Sequence, residues 1–110
     1  MTSPPRLAAR VWTTALLRRV HAAGDFATVV HRGDDISGSV ALIHRMRDGN
    51  RTAFSRTLGP DGDYVWRPAA TGDAVDQWVA KQRSFDRDLW VIELDTPDPA
   101  RFIDETIAAG

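Results

Sequence analysis

The longest segment of the chain with strand character is Ser37–Arg47, in which Val40, Leu42, His44 and Met46 alternate with Ala41, Ile43, Arg45 and Arg47. Successive residues of a strand point to opposite faces, so this alternation defines two surfaces. The Asp48-Gly49 pair that follows is typical of a two-residue hairpin loop. A loop of that length places Ile43 opposite Phe54. With Ala27–Arg32 returning on the other side, we predict a three-stranded antiparallel meander with Ser37–Arg47 in the middle.

A spacing of three to four residues between apolar positions predicts three helices. The first is capped by Thr13 or Thr14 and stops at Gly24, and Arg6–Trp12 either extends it or forms a separate short strand. Asp73 begins the second helix and Asp98 the third. The predicted buried stripes are Leu16, Leu17, Val20 and Ala23 in the first helix, Val75, Trp78, Val79, Gln82 and Phe85 in the second, and Phe102, Ile103, Thr106 and Ile107 in the third.

Two further strands complete the predicted elements. Asp63–Arg67 is a short strand that Pro68 stops, followed by a loop to Gly72, and Leu89–Leu94 is an almost continuous apolar run typical of an inner strand. We therefore predict an α+β fold: a mainly antiparallel sheet, made of a three-stranded meander plus one or two further strands, with two to three packed helices. Residues 6–110 are predicted to form a single domain and residues 1–5 a disordered terminus.

Composition narrows the class of protein. The chain has 110 residues and no cysteine, which excludes disulfide scaffolds, thiolate zinc sites and a cysteine nucleophile. The first residues form no apolar signal region, and no segment approaches the ~18 apolar residues of a membrane span. We expect a soluble protein of a reducing cytoplasm that does not contact membranes.

The two halves of the chain differ in charge although the net charge is −1. Nine basic and four acidic residues lie in positions 1–57, whereas five basic and eleven acidic residues lie in positions 58–110. This asymmetry indicates either an anion-binding face or halves that complement each other within one fold or across a homodimer.

Four arginines form one candidate site. On the predicted register, Arg45, Arg47 and Arg56 share a sheet face with Arg51 close by, an arrangement that could bind phosphate in RNA or another anion. The competing interpretation is that these side chains are solvated strand ends. It is favoured because no ladder of alternating aromatic and basic residues recurs. Nucleic acid is therefore the less favoured partner.

A second candidate site combines His44, Glu93 and Asp88 as the acid–base groups of a small hydrolase or metal-assisted enzyme. Each also has a structural interpretation, and Glu93 needs an arginine partner if it is buried. His31 and His44 have compatible parity, but the predicted register separates them by roughly 13 Å, too far to share a zinc ion. We predict no metal site and no cofactor.

Four tryptophans exceed what a small core needs. One that stays exposed, with Trp12 and Trp66 as candidates, would mark a partner surface. No nucleotide-binding, nucleophile-elbow or metalloprotease motif occurs. The favoured hypothesis is thus a non-enzymatic interaction module that binds a protein partner or a second copy of itself. Anion binding is the first alternative and a small enzyme the second.

Several segments together resemble a family of short bacterial proteins, the uncharacterised domain-of-unknown-function family 1491. They are Ala15–Arg19, the helix end Ala22–Gly24, Arg32-Gly33-Asp34 followed by Gly38, and above all Phe85–Glu93. Family members tend to have proline at the position of Arg87. The resemblance implies a bacterial cytosolic setting and a compact α+β domain, and it provides no catalytic residue, cofactor or substrate.

Overall fold

The structure, a computed structural model, describes residues 8–102 and 106–107 and contains one sheet with helices against it. Strand order across the sheet is β1-β5-β2-β3-β4-β6. The predicted α+β fold with a mainly antiparallel sheet is confirmed. The elements are α1 (Ala9–Ala22), β1 (Phe26–His31), β2 (Val40–Arg45), β3 (Arg51–Leu58), β4 (Tyr64–Thr71), α2 (Ala74–Phe85), β5 (Trp90–Asp95), a 3-10 helix (Pro99–Phe102) and β6 (Thr106–Ile107). The predictions for residues 1–5 and for Ile103 lie outside the described residues.

Strand β5 lies in the middle of the sheet, between β1 and β2. It runs antiparallel to β1 and parallel to β2, and residues 90–92 and Leu94 are at most 3% exposed. A strand that is apolar on both faces needs cover on both faces, and β5 has it because Ile92 packs in the cluster on one face and Val91 in the cluster on the other. The prediction that β1 pairs directly with β2 was therefore wrong. The antiparallel meander is instead β2-β3-β4, with β3 in the middle.

The β2–β3 hairpin differs from its predicted register by one residue. Ile43 lies opposite Ala53, and Phe54 lies opposite Leu42. The loop is one residue longer than expected, because the Met46 N–H donates to the Asn50 carbonyl at 2.8 Å and three residues lie between them. The last of the three is Gly49, whose φ is +88°. A shift of one residue moves every β3 side chain to the opposite face.

Two apolar clusters cover the two faces of the sheet. Helix α1 packs on one face with a core of Leu16, Val20, Leu42, Phe54, Trp66, Trp90, Ile92, Leu94 and Phe102. Helix α2 packs on the other with Ala41, Ile43, Ala53, Val75, Val79, Leu89 and Val91. Ile43 and Phe54, which were predicted to lie opposite each other on one face, accordingly belong to different clusters.

Helix α1 begins earlier than a threonine cap would allow, and the described part of Arg6–Trp12 extends the helix, one of the two predicted alternatives. Ala9–Trp12 belong to the helix, and Thr13 is a buried residue whose hydroxyl donates to the Arg10 carbonyl at 3.1 Å. The first backbone N–H groups, those of Ala9 and Arg10, donate to carbonyls of the loop between β1 and β2. A helix start needs such acceptors, and here they come from the backbone instead of from a capping side chain.

The second half of the chain departs from prediction at three places. Strand β4 continues through Pro68 to Thr71 because a bulge between Pro68 and Ala70 removes the ladder bond that proline cannot donate. Among the described residues the predicted third helix is a 3-10 turn, Pro99–Phe102, and Thr106–Ile107 form strand β6 beside β4. Phe85 ends α2 with 79% of its surface exposed, outside the buried stripe.

Candidate functional site

An open groove of about 680 Å³ lies at one end of the sheet. Strands β2 and β5 are parallel, so their carboxyl ends meet there, and the antiparallel strand β1 begins at the same edge with Phe26 beside Asp95. We call it the Phe26 groove. Its lining residues are Gly24, Asp25, Phe26, His44, Arg45, Met46, Arg47, Asp95, Thr96 and Pro97.

The Phe26 groove has an apolar centre and a charged rim. Phe26 is 68% exposed and Met46 is 42% exposed, although both are large hydrophobic side chains. The rim holds two carboxylates, Asp25 and Asp95, and two guanidinium groups, Arg45 and Arg47. Exposed apolar surface bounded by polar groups is typical of a site that binds a partner.

Hydrogen bonds hold the floor of the Phe26 groove in place. His44 Nε2 lies 2.7 Å from the Thr96 carbonyl oxygen, and the Thr96 hydroxyl donates to Asp25 Oδ2 at 2.9 Å. Thr96 is 3% exposed, so its two bonds join the end of β5 to β2 and to the residue before β1. The contact of His44 with the Thr96 carbonyl thus fixes the position of Thr96 in the floor of the Phe26 groove.

A second cavity of about 430 Å³, here the arginine cleft, lies between α2 and the neighbouring face of β1, β5 and β2. Helix α2 packs on β3 and β4 and does not cover the neighbouring part of the sheet. The arginine cleft lies beside that uncovered part. Arg45 lines both cavities. The lining residues of the arginine cleft are Val30, His31, Ile43, Arg45, Arg51, Asp76, Val79, Ala80, Arg83 and Glu93.

Charged groups in the arginine cleft interact in pairs. Arg51 donates to Asp76 at 3.0 Å, and this hydrogen bond lowers the pKa of the Asp76 carboxyl below its ordinary value. Arg45 Nε lies 3.8 Å from Glu93 Oε1, so the predicted arginine partner of Glu93 is present at ion-pair distance. Partial burial and the nearby charge of Arg83 lower the pKa of His31.

The structure separates the four arginines predicted to form one cluster. Arg45 and Arg51 are cross-strand partners on the α2 face. Arg47 lies in the hairpin loop and lines the Phe26 groove. Arg56 faces α1, where its guanidinium lies 4.8 Å from the ring centre of Tyr64. The one-residue register shift accounts for the position of Arg56.

The three candidate acid–base residues do not meet in a common cleft. His44 faces α1, whereas Glu93 lies in the arginine cleft on the opposite face. Asp88 lies in the turn before β5, where its N–H donates to Asp86 Oδ1 at 3.0 Å and its carbonyl accepts from the Asp34 N–H. His31 and His44 also lie on opposite faces. Within residues 8–102 and 106–107, no three His, Asp or Glu side chains group to hold a metal ion.

The tryptophans predicted to mark a partner surface are part of the core. Trp66 is 0% exposed, so its placement on a surface was wrong, and half-buried Trp12 packs against it with ring centres 6.1 Å apart. Sequence reasoning missed Phe26 and Met46, the exposed apolar residues of the groove. Their exposure depends on which strands end side by side, and no local pattern carries that information.

Comparisons with known proteins identify relatives of the same fold. A crystal structure of a DUF1491 family protein from Caulobacter crescentus has 29% sequence identity and a TM-score of 0.82, with 94% of this chain and all of that chain covered. The solution structure of protein Atu0922 from A. tumefaciens has 27% identity and a TM-score of 0.79, with 96% and 98% covered. No curated protein matches the sequence.

Two further observations complete the comparison. Within the part of the chain that the structure describes, no helix is long and apolar enough to cross a membrane. The family model for DUF1491, described as a protein of unknown function, matches residues 7–104, nearly the whole chain. The chain therefore belongs to the DUF1491 family.

Proposed function

We propose that this protein is a non-enzymatic interaction module that pairs with a second copy of itself through the Phe26 groove. One observation carries the proposal: large apolar side chains, Phe26 and Met46, stay exposed inside a groove whose rim holds both signs of charge. Aromatic residues and methionine are enriched in protein interfaces because they bury large areas and adapt their shape.

The balance of charge favours a second copy as the partner. Two carboxylates, Asp25 and Asp95, and two guanidinium groups, Arg45 and Arg47, surround the groove. A two-fold axis brings the same patch of both subunits together, so a self-complementary patch must contain both partners of each contact. Acidic groups of one copy then face arginines of the other while the apolar centres pack together.

The proposed setting is the bacterial cytoplasm. The relatives of known structure come from Caulobacter crescentus and A. tumefaciens. A chain without cysteine suits a reducing compartment, since it needs no disulfide there.

The arginine set and the acid–base set are not carried forward as functions. Arg56 faces the opposite side of the sheet from Arg45 and Arg51, so a nucleic acid would not meet them on one surface. His44, Glu93 and Asp88 likewise lack the common cleft that a hydrolase needs.

Substitution of Phe26 tests the proposal. Phe26→Glu removes an aromatic anchor and places a charge in the centre of the pairing surface. A loss of about 2 kcal/mol of binding free energy raises the dimer dissociation constant roughly thirtyfold. Light scattering after size exclusion measures the mass of the wild type and the variant at equal concentration.

Phe85→Glu is the matched control, because Phe85 is also an exposed phenylalanine but lies at the end of α2, outside the groove. We expect it to pair like the wild type, with both variants keeping the wild-type circular dichroism. A Phe26→Glu variant that pairs as tightly as the wild type, or a Phe85→Glu variant weakened equally, contradicts the proposal.

A further inference from the structure

The arginine cleft has no role in the proposed pairing, apart from the shared Arg45. The cleft is lined by three guanidinium groups, by His31 and by two carboxylates. The cleft is therefore net positive, although the net charge of the chain is −1. Groups of one sign within a concave site concentrate their field on a ligand of the opposite sign.

The cationic groups of the cleft differ in whether they already have an acidic partner within the protein. Arg51 is held by Asp76 at 3.0 Å, whereas Arg45 lies 3.8 Å from Glu93, beyond hydrogen-bond distance. The Arg83 guanidinium forms no hydrogen bond or ion pair with another residue in the described part of the chain, yet its charge is close enough to act on His31. Arg83 and His31 are therefore the donors available to a ligand.

An apolar wall lies next to these donors. Ile43 and Val79 are buried at 2% and 7% exposure, and Val30 of β1 remains 42% exposed at the mouth. The volume of about 430 Å³ falls in the range of about 300–1,000 Å³ typical of small-molecule sites. Apolar walls with a few polar groups at one end are the usual composition of such sites.

We propose that the arginine cleft binds a small organic oxyanion, a phosphate monoester or a carboxylate carried on an apolar body. The anionic end lies between Arg83 and His31, where the guanidinium presents two parallel N–H donors to it. The apolar body packs on Ile43, Val79 and Val30.

His31 reports occupancy of this site. In the free protein, burial and Arg83 hold the pKa of the imidazole below its ordinary value. A bound anion adds an opposite charge and raises that pKa, so protonation and anion binding favour each other and affinity rises as the pH falls through it. The other charged groups that face the cleft are Asp76 on α2, Arg45 on β2, Arg51 on β3 and Glu93 on β5.

Titration with three probes tests the site and identifies the anion. Phenyl phosphate, benzoate and inorganic phosphate are each added to the full chain, with calorimetry for affinity and NMR for amide shifts and for the His31 titration. We expect phenyl phosphate or benzoate to bind with shifts at the cleft residues and a raised His31 pKa, and to bind more tightly than inorganic phosphate. If phenyl phosphate binds more tightly than benzoate, the natural ligand is a phosphate monoester. If benzoate binds more tightly, the natural ligand is a carboxylate.

Single-charge variants locate the binding site. Arg83→Gln removes the donor and weakens the better probe roughly tenfold, the effect of one hydrogen bond to a charged group. Lys81→Gln removes an equal charge from the same helix outside the cleft, and it weakens binding less than about twofold.

Three results would overturn the proposal. They are the absence of cleft shifts with both aromatic probes, inorganic phosphate binding as tightly as either of them, and equal losses from Arg83→Gln and Lys81→Gln. Both lysine and arginine variants keep the wild-type fold by circular dichroism, since both side chains are exposed.

Discussion

Gly33 and Gly38 show how single residues fix the loop between β1 and β2. A Cβ atom at either position would overlap the carbonyl oxygen of Asp88, and at both it would also press on the Trp90 ring. Neither glycine needs a positive φ, so the requirement is close approach of two backbones and not turn geometry. The Trp90 indole N–H donates to the Asp34 carbonyl at 2.7 Å and holds this contact closed.

Replacement of Gly38 by alanine is expected to lower the free energy of unfolding by about 1–3 kcal/mol, the cost of an overpacked contact. The added methyl group must push the loop away from Asp88 or Trp90. Urea denaturation measures the change. Ser39→Ala alters an exposed neighbouring side chain and should stay within about 0.5 kcal/mol of the wild type, so an equal loss in both variants would refute this explanation.

The start of α1 depends on the same loop. Asp35 and Ile36 present carbonyls to the first N–H groups of the helix, and Asp34 Oδ2 accepts hydrogen bonds from the backbone of Ser37 and of Ile36. These bonds, the Ser37 backbone first, lower the pKa of the Asp34 carboxyl. One exposed carboxylate thus orders the loop that begins a helix.

Acid is expected to weaken this loop. Because the folded-state pKa of Asp34 is lowered, its contribution to stability is complete above the ordinary carboxyl pKa and is lost as the pH falls through the lowered value. The free energy of unfolding of the wild type and of Asp34→Asn is measured from neutral pH downward. The wild type should be more stable at neutral pH, and its advantage over Asp34→Asn should shrink as the pH falls. Asp61→Asn, in the turn before β4, serves as the control, and a gap for Asp34→Asn that is constant with pH would contradict this assignment.

Elements with a complete local pattern could be predicted from the sequence. The apolar run of β5 and the 3.6-residue stripe of α2 identify their own structure and require no knowledge of their neighbours. The strands that flank β5 could not be predicted, since pairing depends on contacts between distant segments. The start of α1 stayed open between two alternatives for the same reason, because the acceptors of its first N–H groups lie more than twenty residues away.

The hairpin loop explains the remaining error and its effect on the candidate site. Asp48-Gly49 fits a two-residue loop and also the end of a three-residue loop, and the two differ by one residue in register. In the predicted register Arg51 would lie opposite Met46, on the other face of the sheet from Arg45, so the observed pairing of Arg45 with Arg51 could not be predicted. Arg56 changes face with the shift, and so does the packing of Phe54.

The whole molecule brings the oppositely charged halves of the sequence together. Arg51 reaches Asp76, and Arg45 lies near Glu93, so basic groups before residue 58 meet acidic groups after it. Part of the asymmetry is therefore complementarity within the fold. The carboxylates and arginines around the Phe26 groove are the part that the proposed dimer uses.

The arrangement of layers also explains why two cavities exist. Helix α1 covers one face beside β1, and α2 covers the other above β3 and β4. The end where β1 begins and β2 and β5 finish is left as the Phe26 groove, and the face beside α2 is left as the arginine cleft. Pairing through the first leaves most of the second accessible.

Sedimentation equilibrium of the wild-type protein measures self-association most directly. Between about 1 and 200 μM, a span that covers micromolar dissociation constants, the mass should rise from 12.2 kDa toward twice that value. A mass that stays at 12.2 kDa throughout would contradict the proposed dimer.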